Sequence, residues 1–330
     1  MENSRRYAVT ILVVAATYYL SALLGLRLAI VGQQVTPLWP PTGIALASLL
    51  LRGPSVTPGI LLGALAANVT LSPSVTALAM IVVGNTLAPV TAYSLLKATR
   101  FDNSLDRLRD VLALVFLGAF AGMLVSATLG SAALAVAGGT GNFWATWSVW
   151  WTGDAMGVLT VTPLILLARR VRWPLTASAG RIAEAIGLFA GTVGVAVYVA
   201  NFATSLLFLV FPFLIWAALR FQQAGAIPCA FAVSTIAIIA AAHGHGPFAD
   251  TSLPLKMIVL QAFNGCVVVT ALVHAAVTAD RNRARRDVDD ACAQLADAVT
   301  LLSRGATPNG SLLKAVERAR SRQESRKLSI

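Results

Sequence analysis

Apolar residues run through this chain in long, nearly continuous stretches from Tyr7 to Ala279, broken by short polar, glycine-bearing or proline-bearing intervals. A helix needs about 20 such residues to cross a hydrocarbon core about 30 Å thick. Lipid offers no partner to a free backbone amide or carbonyl, so stretches of this kind are helices, not loops or open strands. The alternation of a membrane barrel is missing, because the runs are continuous. The pattern predicts an all-α, polytopic helical membrane protein with about ten hydrophobic spans, at 7–31, 35–51, 57–71, 74–98, 109–137, 142–168, 182–200, 204–220, 224–242 and 254–280. The second and third are short and broken by Pro37, Pro40, Pro41 and Pro58. Whether or not they cross fully, the pair returns the chain to the side it left. The first run lacks a small-residue cleavage site followed by polar sequence, so it is expected to be a retained span and not a signal peptide. The expected organisation is an integral membrane domain, 1–280, and a juxtamembrane helical tail, 281–330.

Composition agrees: 57% of the residues are hydrophobic and 12% charged, against about a quarter charged in a soluble domain. The net charge of +11 does not signal nucleic acid, because its distribution follows topology. With the N-terminus inside, 23 of the 25 basic residues fall in inner segments, and only Arg27 and Lys256 lie near the outer face. Both termini are therefore expected to be cytoplasmic, in a plasma (inner) membrane of bacterial type. The basic tail suits an anionic inner leaflet. Cys229, Cys266 and Cys292 have no metal-ligand spacing.

The chain also echoes itself. Phe211-Pro-Phe-Leu-Ile-Trp-Ala-Ala-Leu-Arg220 repeats the design of the proline-led run that starts at Pro40 and ends at Arg52. Asn85 precedes Val90-Thr91-Ala92 with the spacing by which Asn264 precedes Val269-Thr270-Ala271. Spans one to four thus correspond to spans seven to ten. Six spans, an even number, separate the equivalents, which predicts a parallel repeat of four spans.

Polar groups at membrane depth are costly and mark candidate sites. Asp154 is the one acidic residue deep within a span. It is read either as a structural carboxyl, ion-paired with Arg27 or protonated and hydrogen-bonded, or as part of a ligand or proton site. Asn68, Asn85 and Asn264 lie on Gly- and Ala-rich helices, where carboxamides join helix to helix. Gln33, Gln34, Thr36, Trp39, Pro40 and Pro41 make a polar, proline-rich approach to span two, and broken backbone at this depth is tolerated where it lines a cavity. The candidate ligand-binding set is Trp39, Pro40, Pro41, Asn68, Asn85, Trp151, Asp154 and Asn264. His243 and His245 could hold a metal but lack further ligands, so no metal, and no cofactor, is expected.

These residues carry a resemblance. Pro37-Leu-Trp-Pro-Pro-Thr-Gly-Ile-Ala-Leu46, Pro58 to Asn68, Gly84-Asn85-Thr86, Trp150-Trp151-Thr-Gly-Asp154-Ala-Met-Gly through Pro163, and Trp216-Ala-Ala-Leu-Arg-Phe221 together resemble the first type of membrane-associated sensor domain (MASE), over about residues 7–281. The resemblance implies a bacterial inner-membrane input module. Such modules are usually followed by a histidine kinase or by domains that make or degrade cyclic diguanylate. It supplies no defined ligand or catalytic residue.

The segment after span ten is too short for a kinase or cyclase domain and holds no histidine, cyclase signature or P-loop. A stand-alone module is expected. Its tail carries Val288, Cys292, Leu295, Val299 and Leu302 at coiled-coil spacing, a candidate homodimer seam, before Gly305–Gly310 breaks the helix. The expected function is a membrane-embedded sensory module that detects a small ligand or a membrane state. It would signal through this tail to a partner such as a separate kinase. The alternative is a small-molecule permease or the membrane substrate-binding part of a transporter. No nucleophile–base pair converges, so an enzyme is not expected.

Overall fold

The computed structural model describes residues 2–27, 36–72, 74–138, 142–170, 178–202, 206–249 and 253–303. The elements run α1 (Glu2–Arg27), α2 (Pro40–Arg52), a 3-10 turn (Pro54–Val56), α3 (Thr57–Asn68), α4 (Val75–Ala98) and α5 (Leu108–Ala113). A π-helical segment (Leu114–Ala121) leads into α6 (Leu124–Val136), followed by α7 (Phe143–Arg170), α8 (Ala179–Asn201), α9 (Val210–Phe221), α10 (Gln223–His243) and α11 (Leu253–Ser303). Among the described residues there is no strand, and seven helical stretches are long and apolar enough to cross a membrane. The chain is an all-α, polytopic membrane protein. It divides into two compact units, Met1–Ala279 and Asp280–Ile330.

The sequence treats only the second and third runs as short, but α9 is short too. At 1.5 Å per residue the 12 residues of α9 and the 13 of α2 rise about 18–20 Å, well under the hydrocarbon thickness. Both helices carry proline in the first turn, Pro40 and Pro41 in α2 and Pro212 in α9, where a missing amide hydrogen costs nothing. The helix pairings also recur: α1 packs against α3 and α2, and α8 against α10 and α9.

The outward faces of the membrane unit stay apolar, with Leu12, Leu20 and Leu24 on α1 and Ile186 and Tyr198 on α8 exposed. Such a surface suits lipid and not water. Without a hydrophobic force between helices in lipid, close backbone contact holds the bundle. On α3, a Cβ at Gly59 would meet the Ile11 carbonyl at 2.7 Å and one at Gly63 would meet Tyr18 at 2.7 Å, so α1 lies directly on the α3 backbone.

The end of the unit that carries Arg52, Lys97, Arg100 and Arg169 is closed by the loop between α4 and α5. Asn103 Nδ2 donates to the Leu50 carbonyl of α2 at 3.1 Å. The Arg170 guanidinium of α7 grips both Asp106 oxygens, at 3.1 and 3.0 Å, and the Ser104 carbonyl at 2.7 Å. Gln223 Nε2, at the start of α10, donates to the Leu105 carbonyl at 2.8 Å. Among the described residues the three non-glycine residues with positive φ all belong here: Arg100 (54°), Leu105 (55°) and the neighbour of Gln223, Gln222 (53°). Each such conformation costs of order 1–3 kcal/mol and persists only where its surroundings over-determine it.

Candidate functional site

The candidate site follows from where α2 begins. Its first two residues, Pro40 and Pro41, have no amide hydrogen, and the Trp39 amide just ahead donates to the Gly153 carbonyl of α7 at 3.0 Å. Gly153 stands roughly 15 Å along α7 from Phe143. Helix α2 therefore starts part-way through the bundle, level with Gly153 of α7.

Three glycines make that junction. A Cβ at Gly153 would overlap the Thr36 carbonyl oxygen, one at Gly157 the Trp39 carbonyl oxygen, and one at Gly43 the Gly157 carbonyl oxygen. Gly153 and Gly157 form a G-x-x-x-G pair, the spacing that lets two helix backbones touch in a membrane. Thr162 adds a hydroxyl bond to the Gly43 carbonyl at 3.0 Å.

Asp154, one residue on from Gly153, is 1% exposed. Thr42 of α2 donates to Oδ1 at 2.6 Å, and Ser126 of α6 donates to Oδ2 at 2.5 Å. Three helices far apart in sequence thus converge on one carboxylate. Thr42 lies in the first turn of α2, where the positive end of the helix dipole complements the negative charge. The indole of Trp150 lies beside the carboxylate and lines the same cavity. Buried Tyr18 neighbours Trp39 and Asp154, yet its Oη makes no hydrogen bond of good geometry among the described residues.

A cavity lies over the carboxylate, lined by Leu26, Thr36, Trp39, Asn68, Leu71, Asn85, Trp150, Gly153 and Asp154. Four of the residues singled out in the sequence, Trp39, Asn68, Asn85 and Asp154, meet here. Pro40 and Pro41 form the start of the helix beneath it. About 20 Å³ is open to the centre of a water molecule, space for one or two waters.

Other expectations fall elsewhere. Arg27 is exposed at the end of α1, and no ion pair joins it to Asp154, whose oxygens are held by hydroxyls instead. Trp151 faces away: its indole donates to the Phe120 carbonyl of the π segment at 2.8 Å and stacks on Trp147. Its neighbour Trp150 lines the cavity in its place, since consecutive helical residues point about 100° apart. Asn264 of α11 is fully buried outside this cavity, and both amide atoms lack hydrogen-bond partners among the described residues. The His243 and His245 rings stack, with Nδ1 atoms bonded to the Ile239 carbonyl and to Asn201. Among the described residues no group of three or more His, Cys, Asp or Glu is placed to hold a metal. Sequence reasoning missed Thr42, Ser126 and Trp150; the 153–157 glycine spacing was the available signal for the α2–α7 contact.

A bundle of membrane-spanning helices closed around a buried, hydroxyl-bound carboxylate, with broken helix at its side, defines a multi-pass membrane protein with a polar site in its interior. The MASE1 family model matches residues 10–281, most of the chain. The chain belongs to this family of membrane-associated sensor domains. No curated protein and no solved structure matches it.

Proposed function

We propose that the membrane unit detects a small ligand in the Asp154 cavity and reports it to a partner through residues 281–330. The observation that carries the reading is the grip of α2, α6 and α7 on one carboxylate at the floor of that cavity. A ligand that competes for the carboxylate changes the hydroxyl bonds of two other helices at once, so occupancy and helix packing are linked by differential contact. A buried charge without a basic partner is also expensive to maintain for packing alone.

The placement of 23 of the 25 basic residues supports a plasma-membrane topology with both termini cytoplasmic. In the tail unit, Val288, Leu295 and Val299 are exposed at 61–66%, and Cys292 beside them is exposed too. A stripe of this kind pairs with a second copy or with a helix of a separate kinase or other signalling protein. In membranes containing the Cys229→Ser, Cys266→Ser chain, mild oxidation is expected to join two copies through Cys292. Removing 288–330 should abolish recovery of a co-purifying partner while the truncated chain stays in the membrane. Partner recovery that survives the deletion would remove the tail as the output route.

A further inference from the structure

We propose, resting on the reading that the Asp154 cavity is the ligand site, that its ligand is a small organic cation that presents an ammonium head. The cavity's chemistry is one-sided. Among the described residues its one charged wall is the Asp154 carboxylate, and none of them brings a basic side chain to it. The helix N-terminus at its floor, which elsewhere makes an anion site, has few donors to give. Pro40 and Pro41 have no amide hydrogen, the Trp39 amide is engaged by Gly153 and the Thr42 amide bonds back to the Trp39 carbonyl at 3.3 Å. An anion would find no free donor from these residues beside a fixed negative charge.

The remaining polar walls include acceptors beside the carboxamide and indole N–H donors. Asn68 uses its amide nitrogen on the Ala64 carbonyl at 2.9 Å, which leaves its carbonyl oxygen as the group to present. The Thr36 hydroxyl donates to the Leu38 carbonyl at 2.8 Å, which likewise leaves lone pairs. Asn85 stands 6% exposed on the same cavity and contributes a second carboxamide. An ammonium, with donors and no acceptor, suits the Asp154 carboxylate and these oxygens. The indoles of Trp39 and Trp150 and the side chains of Leu26 and Leu71 supply apolar walls for a carbon substituent.

Size narrows the class. The interior admits one or two water-sized groups, while the empty space reaches about 430 Å³ when the open mouth is counted. A single ammonium or methylammonium group fits this interior. Bulky tetraalkyl ammonium exceeds the floor and has no N–H for Asp154.

The test uses the purified full chain in detergent, with methylammonium, tetraethylammonium, acetate and glucose at matched ionic strength. Methylammonium is expected to raise the melting temperature saturably by about 2 °C or more, as ligand linkage requires, and the other three to leave it unchanged. Asp154→Asn should abolish the shift. Asn85→Ala, a milder change, should weaken methylammonium binding about tenfold by loss of one hydrogen bond to a charged group. A saturable shift with acetate, or a methylammonium shift that survives Asp154→Asn, overturns the proposal. Cross-linking of the same variants in membranes separates it from the reading beneath. If no amine binds but Asp154→Asn still alters Cys292 cross-linking in membranes, the cation class falls and the sensing site stands. If methylammonium binds but neither it nor Asp154→Asn changes the cross-linking, the cation site stands and its link to the tail falls.

Discussion

Gly157→Ala is expected to cost the membrane unit about 3 kcal/mol, the upper part of the overpacking range, and to lower its melting temperature in detergent accordingly. The added methyl has no free volume, because its Cβ would coincide with the Trp39 carbonyl oxygen, and backbone cannot swing aside as a long side chain can. To admit it, α2 must move off α7, which also withdraws Thr42 from Asp154. Gly194→Ala on α8 is the control: a Cβ there meets nothing within 4 Å, and alanine is the better helix former. It should leave stability unchanged or slightly raised. Equal melting temperatures for the two variants would show that α2 and α7 do not touch through their backbones.

The second large effect belongs to Asp154→Leu. The substitution leaves the buried Thr42 hydroxyl without its Asp154 acceptor, while the Ser126 hydroxyl keeps only the Met123 carbonyl at 3.1 Å. An unsatisfied buried hydroxyl costs roughly 1–3 kcal/mol, so a fall of about 1–3 kcal/mol is expected. Asp154→Asn keeps the shape and one acceptor oxygen and should cost much less. Arg27→Gln, at an exposed helix end, should leave the melting temperature unchanged, alone or in combination with either Asp154 variant. Thermal unfolding of the three single and two double variants measures this directly. A double variant no less stable than Asp154→Leu alone, with Arg27→Gln destabilising by itself, would restore the ion pair.

Much of the architecture was legible because lipid makes simple demands. Each apolar run from α1 to α11 had to be a helix, and prolines at 40, 41 and 212 marked where the short ones begin. Asp154 was legible for the same reason, since a carboxylate stands out in a stretch of Ala, Val and Leu. Its partners did not stand out. Serines and threonines occur on most of the helices and ordinarily bond their own backbone, as Thr86 does to Val82 and Thr192 to Leu188. Only the three-dimensional packing distinguishes Thr42 and Ser126 from these. Trp150 and Trp151 are adjacent, and the choice between them depends on the rotational setting of α7 against α6, which no local pattern encodes. The pairing of Asp154 with Arg27 was reasonable by charge, but the hydrogen-bonded alternative is the one that the Thr42 and Ser126 hydroxyls match. The positive-φ positions were hidden as well: Leu105 is supported by the tertiary bond from Gln223, while Arg100 and Gln222 follow helix ends and bond back to Lys97 and Ala218.

The bond from Gln223 to the Leu105 carbonyl bears on how such a chain is made. Its two ends are 118 residues apart, and both are buried in the finished bundle. Through the synthesis of α5 to α9 the Leu105 carbonyl has no Gln223 to accept from, and its positive-φ turn lacks that support. The echoing spans therefore do not amount to two modules that mature one after the other. The earlier half is completed by the first turn of α10, so a break in translation or a proteolytic nick before that turn leaves an unfinished surface for quality control to find.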